Sequence, residues 1–295
     1  MSPSSCTYGG IQLPCGLQPT CQVQDNCAGE SNSDHSFEES LLCPFQNPTL
    51  SLVLGEVRLS NRNLTEVPPE VAALRGLHTL DLSHNRLTTL PPTLVSAPTL
   101  RDLKLNSNNL SLEPVPTWFQ HLQCCSKLNL ERNPLGARFD IIPGRALRRL
   151  KVLNMGDCSL SSLPKCFLSL RDLHTLHLSN REDEETAKKN QRRANQVDYR
   201  GCKNLLTLPP LDALVGLVRL EVVGCCLSHL PSLASLPSLK ILMASSNKLT
   251  TLPDLPAALT LLSVEENNLL LLPYLAHLPN LAHIIASHNA ISDIR

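Results

Sequence analysis

The stretch LHTLDLSHNRLTTLP, residues 77–91, spaces its leucines in a fixed pattern. Leucines stand at its first, fourth, sixth, eleventh and fourteenth positions, and an asparagine stands at its ninth. The leucines at positions four and six have the two-residue period of a β-strand with one apolar face. A strand this short cannot bury that face alone, so the pattern requires neighbours of the same kind.

The same pattern recurs along most of the chain. We number its copies as repeats 1 to 10, and their first residues are Leu54, Leu77, Leu100, Cys125, Leu150, Leu173, Leu217, Leu239, Leu259 and Leu281. Stacking ten such strands in parallel buries their leucines inside a solenoid. The sequence therefore predicts an α/β fold, a curved parallel β-sheet horseshoe backed by short helical or extended convex segments.

The ninth position predicts a ladder of side-chain amides, because an asparagine can both donate and accept hydrogen bonds between successive turns. Cys158 and Cys225 replace the asparagine with a weaker donor in two repeats. Arg62 and Arg181 depart from the pattern, so we expect an imperfect ladder there. The expected ladder residues are Asn85, Asn108, Asn133, Asn247, Asn267 and Asn289.

Residues 77–91 match the motif LxxLxLxxNxLxxLP in full, and on this motif the chain resembles the leucine-rich repeat superfamily, with intracellular typical repeats of about 22–24 residues. The repeats of 23 residues that carry LPP are similar to those of Ras-suppressor and Scribble-like proteins. The last copies, ending in ASHNAISDI, are similar to those of phosphatase-1 regulators. The resemblance covers Leu54 to Arg295 and implies a solenoid that binds proteins in signalling.

The pattern divides the chain into a repeat domain at 49–295 and a Ser- and Cys-rich tail at 1–48. The tail's composition predicts that it is mostly disordered. Ser36 and Glu39 form a capping box, which predicts a short capping helix near 37–43. The tail's cysteines lack the close CxxC pairs of structural zinc sites, so free thiols are favoured over a metal site.

Repeat 6 contains a charged insertion. Its Leu178 and Leu205 lie 27 residues apart, whereas the same two positions of the motif lie 5 apart elsewhere. Because the pattern resumes afterwards, we expect a loop insertion at about 181–202 and not a linker between domains. Three roles stay open for this loop: none, the docking of a partner, or nuclear import through KKNQRR.

Composition excludes several classes of function. Lys+Arg and Asp+Glu both total 26 and aromatics make up 3%, which argues against nucleic-acid binding. Apolar runs are too short to cross a bilayer, so no membrane insertion is expected. The N-terminus lacks a signal-peptide pattern, which favours a cytoplasmic protein. No phosphate loop, HExxH or GxSxG motif occurs, so we predict a protein that is not an enzyme, with no catalytic residue, metal or cofactor.

Apolar residues at positions of the last four strands that should face solvent indicate a binding surface. The candidate partner-binding residues are Val223, Ile241, Met243, Leu261 and Ile285, with His283 and Glu265 as a polar rim. The predicted function is an intracellular protein–protein interaction scaffold or adaptor that binds its partner on the concave face. The alternative is a recognition subunit or fragment of a larger signalling enzyme or ubiquitin ligase whose catalytic part is absent.

The last repeat carries no polar capping element after Ile294. Terminal turns of solenoids expose unpaired backbone and apolar side chains unless something covers them. We therefore expect further sequence or a partner to cover the C-terminal end.

Overall fold

The computed structural model describes most of the repeats and two short strands near the N-terminus. The described residues are 6–8, 11–13, 55–72, 74, 76–95, 97–111, 118, 121–135, 147–163, 170–179, 202 and 204–294. The capping helix expected near 37–43, most of the 1–48 tail and the insertion up to residue 201 lie outside them. The chain separates into two compact units, Met1–Asn47 and Pro48–Arg295.

The described elements are short. In the N-terminal unit, β1 (Cys6–Tyr8) and β2 (Ile11–Leu13) form an antiparallel pair. The elements of the repeat unit are β3 (Glu56–Arg58), α1 (Pro69–Ala72), β4 (Thr79–Asp81), α2 (Pro92–Val95), β5 (Asp102–Lys104), β6 (Lys127–Asn129), β7 (Val152–Asn154), β8 (Thr175–His177), β9 (Arg219–Glu221), β10 (Ile241–Met243), β11 (Leu261–Ser263), β12 (Leu271–Leu272), β13 (His283–Ile285) and β14 (Asp293–Ile294).

Ten of these strands form one parallel sheet, in which spatial order follows chain order from β3 to β13 and only β12 is skipped. Each strand begins two residues after the first residue of its repeat, as β4 does after Leu77. The register pairs equivalent positions, for example Leu80 with Leu103. The parallel solenoid predicted from the sequence is thus confirmed.

The leucines of the pattern form one continuous core. In repeat 2, Leu80, Leu82 and Leu87 are fully buried, and the equivalent residues are buried from repeat 3 to repeat 9, whereas Leu59 and Leu64 of repeat 1 are partly buried. Burying a leucine side chain stabilises a fold by about 1.5–3 kcal/mol, so this column dominates the packing energy. Because side chains alternate along a strand, the residues at positions three and five of each repeat lie on the opposite, inner face.

The segments behind the sheet change along the chain. Helices α1 and α2 back repeats 1 and 2, and each begins with a proline, Pro69 and Pro92, whose fixed φ suits the first helical turn. From residue 211 onward the described segments contain turns and extended chain, with β12 and β14 as a second, two-stranded parallel sheet. No helix in the described residues has the length and apolar character needed to span a lipid bilayer.

Repeat 10 is packed on one side only. Its Ile284 is 42% exposed, whereas its neighbour in repeat 9, Leu262, is fully buried. Strand β13 is the last strand of the sheet, so nothing described covers the apolar side chains of this repeat. Apolar side chains therefore reach the surface at this end of the described sheet.

Candidate functional site

The inner face of the last strands carries two short rows of side chains. One row joins Ile241, Leu261 and His283, and the second joins Met243 to Ile285 across Ser263, which is buried. We call the surface formed by Ile241, Met243, Leu261, His283 and Ile285 the C-terminal inner face. Neighbouring strands of a sheet lie about 4.8 Å apart, so adjacent side chains of the first row are in contact range, whereas Met243 and Ile285 lie two strands apart.

Exposure increases along this face towards the end of the sheet. Ile285 is 43% exposed and His283 is also exposed, whereas Ile241, Met243 and Leu261 are half-buried. An apolar surface of this kind on a parallel sheet can receive apolar groups of another molecule.

Glu265 and its neighbour Glu266 form a polar rim beside the C-terminal inner face. Ser287 Oγ donates to Glu265 Oε1 at 2.7 Å, and Ser246 Oγ donates to Glu266 Oε2 at 2.7 Å. These hydrogen bonds link the carboxylates to the repeats on either side. The rim therefore presents two oriented negative charges to solvent.

The sequence predicts that Val223 faces solvent, but in the structure its side chain is buried. Its side chain is only 9% exposed, and its backbone N–H donates to Ser179 Oγ at 2.7 Å. Ser179 and Glu221 are buried beside it, because side chains on the inner face of closely spaced strands shield one another. Val223 therefore does not belong to the accessible part of the candidate surface.

A charged cluster lies next to the C-terminal inner face and was missed in the sequence. His177 Nδ1 lies 2.6 Å from Glu221 Oε2, and the Arg219 guanidinium pairs with Glu221 Oε1. Arg219 also donates to Met243 Sδ at 3.4 Å, which joins the cluster to the apolar rows. The sheet places His177 directly opposite Glu221. Aligning the fifth positions of repeats 6 and 7 in the sequence would have indicated this pair.

The electrostatics of the cluster centre on Glu221, whose side chain is 3% exposed. Burial raises the pKa of this carboxyl, but the hydrogen bond and charge of His177 and those of Arg219 outweigh burial and lower the pKa to about 2. Glu221 is thus a buried anion held by two donors. The cluster connects side chains of repeats 6, 7 and 8 on the inner face.

His174, Lys104 and Arg58 each have a polar partner close by. His174 Nδ1 bonds to Asp172 O at 2.6 Å and is not brought to His177. Lys104 lies 3.7 Å from Asp81, whereas Arg58 pairs with Glu56 of its own strand. Among the described residues, no group of three or more His, Cys, Asp or Glu side chains could hold a metal ion.

The asparagines of the ninth position connect successive repeats. In Asn247, Oδ1 accepts a hydrogen bond from Leu227 N at 2.9 Å, and Nδ2 donates to Val222 O at 2.7 Å and to Ala244 O at 3.0 Å. One side chain thereby binds backbone groups of two repeats. The same pattern occurs at Asn85, Asn108, Asn133, Asn267 and Asn289.

Cysteines at the ninth position make only the donor half of this pattern. Cys158 Sγ donates to Leu130 O at 3.1 Å, but a thiol has no amide oxygen, and Leu135 N turns instead to Asn133 O at 2.8 Å. In repeats 1, 5 and 7, which lack a ladder asparagine, the tenth residue has a positive φ. These residues are Asn63, Ser159 and Cys226, at 54°, 56° and 57°.

Repeat 6 takes its ladder donor from the far side of the insertion. Cys202 is buried, and its Sγ donates to Met155 O at 3.3 Å, which is the sixth-position carbonyl used by ladder residues elsewhere. The sequence register predicts Arg181 at this position, which is wrong. The insertion therefore enters before the ladder residue, and Cys158, Cys202 and Cys225 form three consecutive ladder positions.

The family model described as leucine rich repeat matches residues 53–110, which are repeats 1 and 2 and the start of repeat 3. Together with the ten-stranded parallel sheet, this match decides the superfamily. The chain is a leucine-rich repeat protein. Its sequence matches none of the curated proteins.

Solved structures of other leucine-rich repeat proteins have the same fold. A leucine-rich repeat protein of Leptospira interrogans is 22% identical, with 86% of this chain and 71% of that chain covered and a TM-score of 0.54. YopM, a leucine-rich effector of Yersinia pestis, is 25% identical, with 81% and 68% covered and a TM-score of 0.57. A chain of the Drosophila Toll–Spatzle complex is 22% identical, with 79% and 29% covered and a TM-score of 0.56. These similarities concern the fold.

Proposed function

We propose that this leucine-rich repeat protein is a cytoplasmic adaptor that binds a partner protein through its C-terminal inner face. The observation that carries the proposal is the apolar pair of rows on strands β10, β11 and β13, bordered by oriented carboxylates. Protein interfaces draw most of their binding energy from a few apolar anchors surrounded by a polar rim. Ile285 and Leu261 are the anchors that this arrangement offers.

The neighbouring charged cluster supports the same surface. Arg219 bonds both Glu221 and Met243. The Met243 side chain, which begins the second row, is therefore ordered before a partner binds. Anchors that are already ordered lose less conformational entropy on binding. The alternative role, as the recognition part of a larger signalling enzyme or ubiquitin ligase, would use the same surface.

The test compares proteins captured from a cell lysate by the wild-type chain and by the double variant Leu261→Glu, Ile285→Glu. Met243 is left unchanged because a carboxylate there would pair with Arg219. Two buried charges in an interface should reduce capture of the principal partner by at least about tenfold. Quantitative mass spectrometry measures the capture, and circular dichroism checks the fold.

The matched control is Arg58→Glu, which places a carboxylate on the inner face of repeat 1, far along the sheet from β13. Capture should be unchanged in this variant. If Arg58→Glu removes the partner while the double variant retains it, the partner binds at the N-terminal end of the sheet and the proposed surface is wrong.

A further inference from the structure

Five exposed cations are concentrated at the edge of the sheet where strands β6, β7 and β8 begin. Arg148 and Arg149 lie in the turn before Leu150, and Arg171 lies in the equivalent turn of repeat 6. Lys127 and Lys151 lie at the start of their strands. We call Lys127, Arg148, Arg149, Lys151 and Arg171 the basic edge.

Backbone hydrogen bonds fix the spacing of the basic edge. Lys151 N donates to Ser126 O, and His174 N donates to Lys151 O, each at 2.8 Å. Equivalent residues of repeats 4, 5 and 6 therefore follow one another at the strand spacing of about 4.8 Å. The three repeats together present a surface roughly 10 Å wide on which every repeat contributes a cation.

The cations of the basic edge are exposed and unpaired within the described part of the chain. Lys104 pairs with Asp81 and Arg219 pairs with Glu221, whereas no side chain of the basic edge has an ion pair or a hydrogen bond within the described residues. Unpaired exposed cations are common singly, but five on three adjacent repeats produce a local positive field.

Two carboxylates lie close to the basic edge and reduce its charge without removing it. Asp102 lies opposite Lys127 in the sheet, and Asp172 follows Arg171. Arg101 adds a further cation, although its guanidinium donates to Pro98 O at 2.8 Å. Six cations against two carboxylates leave a net charge of +4 here, in a chain whose total formal charge is zero.

We propose that the basic edge binds an acidic segment of a partner protein, at a site separate from the C-terminal inner face. An extended segment advances about 3.3 Å per residue, so three or four of its residues can cross the three repeats and place carboxylates beside successive cations. The surface fits a peptide better than a nucleic acid. No aromatic residue stands among the residues of the edge to stack on bases.

The test uses a fluorescein-labelled deca-glutamate peptide and fluorescence anisotropy on the full chain. The wild type should bind the peptide, and binding should weaken steeply as ionic strength rises, because exposed charges are screened. The triple variant Arg148→Glu, Arg149→Glu, Lys151→Glu should lose at least about tenfold in affinity. A control triple variant, Arg86→Glu, Lys240→Glu, Lys248→Glu, has the same change in net charge at exposed residues outside the edge and should stay within about twofold of the wild type.

Three results would overturn the proposal. Equal losses in the two triple variants would show that binding follows total charge and not this surface. An oligodeoxythymidine decamer that binds more tightly than the peptide and responds to the same triple variant would assign the edge to nucleic acid. The third result is an absence of peptide binding both in the wild type and in a chain whose Glu182, Asp183, Glu184 and Glu185 are changed to glutamine, which removes acids that could compete from within the chain.

The same peptide separates this proposal from the proposed function. The Leu261→Glu, Ile285→Glu variant should bind deca-glutamate as the wild type does, because neither residue belongs to the basic edge. Peptide binding that persists there while partner capture fails assigns the two activities to two surfaces. Loss of peptide binding in that variant would contradict a separate site.

Discussion

At the scale of single residues, this protein is held together by side chains that bind backbone groups of two repeats at once. Each ladder asparagine forms hydrogen bonds with buried backbone N–H and C=O groups, which must be paired. An apolar side chain could not form these hydrogen bonds. Where a cysteine replaces the asparagine, the backbone adjusts and the tenth residue enters the left-handed region, as Ser159 and Cys226 show. The ladder therefore determines local backbone conformation as well as stability.

The adjacent pair Asn267 and Asn268 allows a matched test of the ladder. Asn267 accepts from Leu249 N and donates to Ala244 O and Val264 O, whereas the Asn268 side chain is exposed. Asn267→Ala should lower the free energy of unfolding by about 1–3 kcal/mol, because it leaves buried backbone groups unpaired.

The control, Asn268→Ala, removes the same side chain from the next residue and should cost less than about 0.5 kcal/mol. Urea unfolding followed by circular dichroism measures both changes. Equal unfolding midpoints for the two variants would show that the ladder bonds contribute nothing.

Glu221 makes stability depend on pH in a defined direction. Its pKa is lowered to about 2 in the folded protein, whereas the pKa of a glutamate in an unfolded chain is about 4.3. Between these values the unfolded chain binds a proton that the folded chain does not, so stability is present above the window and falls as pH decreases through it. The wild type should therefore lose more stability than Glu221→Gln between about pH 5 and pH 2, by on the order of 1–3 kcal/mol.

Urea unfolding at several pH values measures this difference. Other carboxyls titrate in the same range, so the comparison also needs Glu66→Gln, which changes an exposed glutamate and should follow the wild-type pH profile. A constant difference between the wild type and Glu221→Gln across the window would contradict the lowered pKa.

At the scale of elements, neighbouring repeats pack so closely at Gly216 that there is no space for a Cβ atom. Gly216 lies in the turn that leads into β9. A Cβ at this residue would lie 2.6 Å from Arg171 O, a backbone atom that cannot move aside cheaply. Gly55 precedes β3 and has its nearest atom, His78 Nδ1, at 3.8 Å, an ordinary contact.

Gly216→Ala should therefore lower the free energy of unfolding by about 1–3 kcal/mol, since overpacking forces backbone shifts. Gly55→Ala should change it by less than about 0.5 kcal/mol. Thermal unfolding of both variants beside the wild type measures the effect. If Gly216→Ala is as stable as Gly55→Ala, repeats 6 and 7 are not packed as tightly as the structure indicates.

Much of the element order could be read from the sequence, because the spacing of leucines directly encodes strand position and facing. All ten strands begin two residues after the start of their repeat. Cys202 could not be placed in this way, since the insertion separates it from its repeat and only the contact with Met155 O reveals its position. The burial of Val223 and the pairing of Glu221 with His177 depend on contacts between strands, which a pattern within one repeat does not contain.

At the scale of the whole molecule, stability should vary from repeat to repeat. Each repeat of a solenoid contacts only its neighbours, so an internal repeat is stabilised from two sides and a terminal repeat from one. Strand β11 lies between β10 and β13, whereas β13 has a single neighbour in the described sheet. The change from buried Leu262 to half-exposed Ile284 marks the same transition in the core.

Backbone hydrogen bonds make this difference measurable at equivalent residues. In repeat 9, Val264 N donates to Ile285 O at 2.8 Å and Glu266 N donates to Ser287 O at 3.0 Å. The equivalent groups in repeat 10, Ala286 N and His288 N, have no acceptor within the described residues. Amide hydrogen exchange should therefore be fast at Ala286 and His288 and slow at Val264 and Glu266, because exchange requires an unpaired, exposed N–H.

Amide exchange measured by NMR at two protein concentrations tests the predicted exchange rates. The same measurement shows whether another molecule covers the edge of β13. Fast exchange of Ala286 and His288 at both concentrations is the expected result for the isolated chain. Protection at these two amides that increases with concentration would mean that a second copy adds to the edge of β13, as exposed strand edges invite. Protection equal to that of Val264 at both concentrations would show that residues of the same chain pair with β13, and the unpaired edge would be wrong.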